Sequence, residues 1–157
     1  MKLSDALKIL SNILQGYTTL GAEAQHSDIL AALNAAQEEV AEELNTFFME
    51  TAGLTESRNA DGDIGTGVFN PPPLTETSPV LGLPSYASMA VIYYAAGILA
   101  EKQGEFQKDG DKDIGRLRAF YQAELSHAKR AAAIRFHRHP RAIEDGVDPD
   151  RFSRSRF

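Results

Sequence analysis

The stretch YASMAVIYYAAGILA, residues 86–100, runs for 15 positions without a charged side chain. Such a segment is apolar nearly all the way round, has no face to turn toward water, and so predicts a helix at the centre of the fold. Its 15 residues fall short of the roughly 20 that cross a bilayer. Pro84 suits its first turn, and Gly104 stops it. Gly97 and the alanines are expected to let neighbouring backbones come close.

Outward from this helix, the pattern stays helical. Residues 104–112, GEFQKDGDK, form a polar turn, and Asp113 caps a further helix over 113–135. Its stripe is Ile114, Leu117, Tyr121, Leu125, Ala128 and Ala132. The two helices together predict a central αα-hairpin. Upstream, Leu3, Leu7, Leu10 and Leu14 stripe a short helix over residues 4–15. A longer one starts at Ser27 or Asp28, carries Ile29, Leu33, Ala36, Val40, Leu44 and Phe47 on one face, and stops at Gly53. The expected fold is all-α, a small bundle of about four helices whose body spans residues 1–135.

Two parts fall outside that body. Residues 53–83 are a 31-residue Gly/Pro-rich loop, a length usually functional or ordered by a partner, with room for a short β-hairpin around 64–69. Residues 136–157 hold two prolines, few aliphatics and no apolar period, which predicts an extended C-terminal arm. The arm finishes in RFSRSRF.

The chain of 157 residues fits one domain, and its net charge of −6 is unevenly spread. Residues 1–128 hold 8 Lys+Arg against 18 Asp+Glu, whereas residues 129–157 hold 8 against 4. A basic minority segment points to a partner for that segment. The acidic body argues against simple duplex binding, which needs a dense basic surface. With no cysteine, disulfides and thiolate zinc sites are excluded. The start MKLSDALKIL has Asp5 and lacks a cleavage pattern, so no signal peptide is expected and the protein reads as soluble and cytosolic.

Few residues are arranged for chemistry. EAQH (Glu23, His26) and ELSH (Glu124, His127) match the Glu-x-x-His pattern that, doubled on facing helices with further glutamates such as Glu38 and Glu42, builds a di-metal site. EAQH, however, precedes the cap at Ser27, and the stripe through Leu125 and Ala128 leaves His127 off the core face. NADGDIG (59–65) and DGDKDIG (109–115) carry Ile where a calcium loop needs glycine and lack the twelfth-position glutamate, so both read as turns. No phosphate loop, nucleophile elbow or catalytic triad is apparent, and HRH at 137–139 belongs with the basic arm. In QEEVAEEL, Glu38 with Glu42 and Glu39 with Glu43 are like-charged i,i+4 pairs. They make either a solvated face or a surface kept negative so that DNA slides past it.

The order of parts resembles the head–tail connector (portal adaptor) proteins of tailed bacteriophages. A short N-terminal helix precedes SDILAALNAAQEEVAEEL; a Gly/Pro-rich loop leads into LPSYASMAVIYYAAGILAEKQGE; then come an acidic turn, DIGRLRAFYQAELSHAKRAA and the arm. The resemblance covers about residues 1–135 by layout, YYAAGILAEKQGE being its most characteristic piece. It implies a non-enzymatic virion protein of the neck, made in the host cytoplasm. Twelve copies would form a ring beneath the portal protein, meet tail or nozzle proteins, and let DNA through without reading its sequence. It implies no cofactor and no membrane. The arm would dock on the portal through Arg135, Phe136, Arg138, Arg141, Arg151, Phe152, Arg154, Arg156 and Phe157, with Glu38, Glu39, Glu42 and Glu43 available to face the channel. Arg and aromatic side chains are favoured interface anchors, which supports that assignment independently. The rival expectation is a small accessory protein that binds nucleic acid through the basic tail; a di-metal enzyme is a third.

Overall fold

The structure, a computed structural model, describes residues 1–17, 26–52, 69–104 and 110–138. Four helices account for most of them: α1 (Leu3–Tyr17), α2 (His26–Ala52), α3 (Ser88–Gly104) and α4 (Gly110–Arg138), with a 3-10 turn at Ser85–Ala87 leading into α3. The expected all-α bundle is present, and no strand occurs among the described residues. No helix among them is long and apolar enough to cross a membrane.

α3 is the centre, as its composition requires. Ala90, Val91, Ile92, Ala95, Ala96, Leu99 and Ala100 are all buried, which takes up most of its circumference. It packs most extensively on α4, then on α2 and α1. The α4 stripe of Leu117, Tyr121, Leu125, Ala128 and Ala132 is buried, with Ile114 packed against the core. α1 contributes Leu3, Ala6, Leu10 and Leu14. α2 buries Leu33, Ala36, Val40 and Leu44 as expected, and a second row as well: Ala32, Gln37, Ala41 and Asn45.

That second row holds what the sequence presented as loop. Residues 69–83 form an irregular strap across α2 and the start of α1, and Phe69, Leu74, Leu81 and Leu83 are buried beneath it. The Asn45 amide donates to the Phe69 carbonyl at 2.8 Å and accepts from the Phe69 N–H at 2.9 Å. Asn34 does the same for Leu74, at 3.2 and 2.6 Å. Each amide supplies the donor and acceptor that a neighbouring strand would otherwise present. The geometry is matched in length. The eleven helical steps from Asn34 to Asn45 rise about 16 Å, and five steps of extended, proline-rich chain from Phe69 to Leu74 span about 16 Å.

The intervening Pro71, Pro72 and Pro73 have no N–H, and Asn70 is exposed, so every donor in this stretch is either absent, bonded or wet. Further on, Thr75 N–H bonds to Ser78 Oγ and Ser78 N–H to the Thr75 carbonyl. Leu3 N–H then reaches the Pro79 carbonyl, Leu81 N–H the Met1 carbonyl, and Lys2 bridges Val80. Gly82 N–H donates to Gln37 Oε1 at 2.6 Å, closing the strap back onto α2.

Several boundaries differ from expectation. α4 begins at Gly110, so residues 110–115 are helical rather than a turn, and Asp113 lies inside the helix instead of capping it. Asp and Gly are common both in turns and in first helical turns, so the sequence at this point does not separate the two. α4 also continues to Arg138, three residues past its expected end at Arg135 and into the segment expected to be the arm. Nothing in AAAIRFHR breaks a helix, and the first obstacle is Pro140, which disfavours helical geometry at the residue before it. Gly97 does not serve close packing: a Cβ there would meet nothing within 4 Å. The hairpin considered at 64–69 lies outside the described residues except for Phe69, which is not in a strand.

Gly82 is where the strap is tightest, since a Cβ would stand 2.8 Å from Pro71 Cβ and 3.0 Å from Pro72 Cδ. Gly82→Ala is therefore expected to destabilise the protein by on the order of 1–3 kcal/mol in urea unfolding, although glycine-to-alanine exchange elsewhere tends to stabilise. An unchanged midpoint would mean that Gly82 does not pack this closely on Pro71 and Pro72.

Candidate functional site

The hairpin does not close completely where Gly97 leaves α3 without a side chain. A cleft of about 350 Å³ opens there, lined by Tyr93, Tyr94, Gly97 and Glu101 of α3, by Arg118, Tyr121 and Gln122 of α4, and by Glu39 of α2, among others. Its walls are aromatic: Tyr94 meets Tyr121 edge to face with centroids 4.9 Å apart, and Tyr93 stacks on Phe120 at 5.2 Å. Phe120 is 43% exposed and extends the aromatic wall onto the surface.

The charges are placed unevenly around it. Arg118 pairs with Glu101 at the rim, where both are largely exposed and the pair contributes little. Lys129 pairs with Glu43 at 2.8 Å. Glu39, half-buried one helical turn before Glu43, belongs to neither pair. The four glutamates of α2 therefore separate into two rows. Glu38 and Glu42 are exposed, whereas Glu39 and Glu43 turn toward α4.

Tyr121 is only 6% exposed, and its hydroxyl is buried without a hydrogen-bond partner. Burial pushes this phenol well above the ordinary tyrosine range, with Glu39, Glu43 and Tyr94 adding to the shift in that order. Tyr94 moves the same way, through burial first, then Glu39 and Glu101, with Arg118 opposing. Both phenols are thus held neutral beside carboxylates, and a buried neutral hydroxyl with no partner is an open place for one.

Of the residues expected to form a docking arm, Arg135, Phe136 and Arg138 lie on the α4 backbone, and Arg141, Arg151, Phe152, Arg154, Arg156 and Phe157 lie outside the described residues. Of the Glu-x-x-His pairs, Glu23 is outside them, His26 opens α2, Glu124 is half-buried and His127 exposed. No group of three or more His, Asp or Glu is placed so that it could hold a metal ion among the described residues. The cleft residues Tyr93, Tyr94, Tyr121 and Arg118 went unrecognised in the sequence, where the tyrosines count simply as apolar positions of two helices. The clamp residues Asn34, Gln37 and Asn45 also escaped, although their spacing sets them on one face of α2. No protein-family model, curated protein or solved structure matches this chain.

Two substitutions test this description. Tyr121→Phe removes the unpartnered hydroxyl and is expected to raise stability by up to about 1 kcal/mol at neutral pH. Because the folded-state pKa is raised, the stability tied to the neutral phenol is complete below about pH 10 and is lost as pH rises further. Alkaline unfolding followed by tyrosinate absorbance should accordingly begin at higher pH in Tyr121→Phe. Gly97→Ala has open space for its methyl group and is expected to stabilise α3 by up to about 1 kcal/mol in thermal melts, the reverse of Gly82→Ala.

Proposed function

We propose that this protein is a structural virion component, a helical subunit that assembles into a ring, joins a phage portal to the tail and leaves a passage for DNA. The observation that carries the reading is the polarity of charge along the fold: an acidic helical body whose last helix leads into a basic segment rich in Arg and Phe. α4, with 29 residues, is about 43 Å long and takes the root of that segment to the end of a long helix. The layout of short helix, long helix, strap and buried hairpin supports the same assignment by resemblance.

In this reading the portal protein is the partner of the arm, tail or nozzle proteins meet the other side, and copies of the chain meet each other in a ring of about twelve, with head-to-tail contacts closing the circle. Repetition around the ring multiplies modest contacts at each arm. Glu38 and Glu42 are the glutamates free to line the channel, since Glu39 and Glu43 face α4. A negative wall lets DNA pass without capture.

The test is electron microscopy of cognate portal rings mixed with the full chain or with a chain ended after Arg138. The full chain is expected to add a twelve-fold collar, and the truncated one to stay unbound while remaining folded by circular dichroism. Alanine at Arg151, Phe152, Arg154, Arg156 and Phe157 together should abolish the collar, while alanine at Glu38 and Glu42 should leave it. A collar formed by the truncated chain would remove the docking role from the arm. Salt-sensitive DNA binding by the full chain, without docking, would instead favour the nucleic-acid accessory reading.

A further inference from the structure

We propose that the α3–α4 cleft is an arginine-binding site and that its occupant is the chain's own segment 151–157, RFSRSRF. The inference does not depend on the portal reading, because both halves of the contact belong to this protein.

The cleft has the chemistry that a guanidinium needs. Glu39 supplies a half-buried carboxylate engaged in neither described ion pair, and Tyr121 supplies a buried hydroxyl without a partner. Arg presents five donors and no acceptor, so it can meet the Glu39 carboxylate bidentately, and a small movement of the Tyr121 ring would bring its hydroxyl within reach as well. The rings of Tyr93 and Tyr94 wall the space, and a guanidinium is attracted to such faces most strongly where water is excluded. Beside the opening, the Tyr93–Phe120 stack offers an exposed aromatic shelf. That shelf fits the phenyl ring which directly follows Arg151 and Arg156 in the sequence.

Charge selects the same segment. Residues 151–157 carry three arginines and no acidic side chain, whereas residues 139–150 carry four acids and one arginine. Reach allows contact within one molecule. Tyr121 lies 17 residues before Arg138 on α4, about 26 Å along the axis. The 13 residues from Arg138 to Arg151 span up to about 43 Å when extended and about 20 Å as a coil. Tethering at that length gives a local concentration near the millimolar range, enough to hold a contact that would be weak between separate molecules. The arm would then rest on its own body until a stronger partner displaces it.

Trypsin reads this directly, since it cuts after each arginine in question. In the intact protein, cleavage after Arg151, Arg154 and Arg156 is measured by mass spectrometry relative to cleavage after Arg141. Wild type should be cut about tenfold more slowly at the three distal sites than Gly97→Met, whose side chain grows into the cleft from a position with free space. Glu39→Gln should give the same loss of protection while Glu38→Gln, on the exposed row, should not. Melting curves identify any variant whose fold has changed, and Glu39→Gln, which alters no volume, keeps the test open if Gly97→Met unfolds. Equal cleavage in wild type, Gly97→Met and Glu39→Gln would overturn the proposal. Protection that rises with protein concentration, together with concentration-dependent sedimentation, would also overturn it, because the occupant would then be the arm of a second copy.

Discussion

Three side-chain amides on one face of α2 decide how the rest of the chain is arranged. Asn34, Gln37 and Asn45 bond to the backbone at Leu74, Gly82 and Phe69, fixing a strap of chain that has neither helix nor sheet to satisfy it. Without them the polar backbone over Phe69 and Leu74 would be buried unpaired, at a cost of about 1–3 kcal/mol for each group. Because the clamps sit at both ends of a triple proline, the strap is held taut with little entropy left to lose. The strap in turn fixes α1, since Leu3 at its start bonds to Pro79 and Met1 just before it to Leu81. α1 is therefore located through the strap as well as through its own leucine stripe.

The strap also delivers the chain into Pro84 and the 3-10 turn, where α3 starts. Once α3 is placed at the centre, α2 and α4 must cover it, and the small side chains at Ala87, Ala90, Ala95, Ala96 and Ala100 let them approach. Close approach is not uniform, however. On the side where Gly97, Tyr93, Tyr94 and Tyr121 line the cleft, glycine leaves the gap between the rings unfilled. The cleft follows from pairing small with large on the wrong side for closure, and its polar groups follow from the outer rows of α2 and α4.

Much of the bundle was legible in the sequence because helical burial leaves a period. The α4 stripe from Leu117 to Ala132 and the α2 stripe from Leu33 to Leu44 could be read directly, and both are buried. The strap was not legible as ordered structure. Its prolines and glycines carry no period, and its anchors are polar residues of a distant helix that a count of apolar positions passes over. Gly97 was assigned the common role of a glycine in a crowded helix, but which face of α3 is crowded depends on the placement of α4. The start of α4 is not legible for a local reason, since Asp and Gly mark turns and first helical turns alike. Its end followed a rule already visible at Pro140.

The same distinction bears on the acidic glutamates. As a sequence run, Glu38, Glu39, Glu42 and Glu43 form one repulsive cluster that weakens an isolated helix. In the fold they are two rows with different physics. Glu38 and Glu42 keep their hydration, so their charge is screened and acts only collectively with other charges at the surface. Glu39 and Glu43 have lost part of their water to α4, and each then gains from a cation. Lys129 meets that need for Glu43. Glu39 lines the cleft with Tyr94 and Tyr121 and has no such partner among the described ion pairs. On the proposal made above, Glu39, one turn before Glu43 on α2, is the position at which the basic segment answers the acidic body.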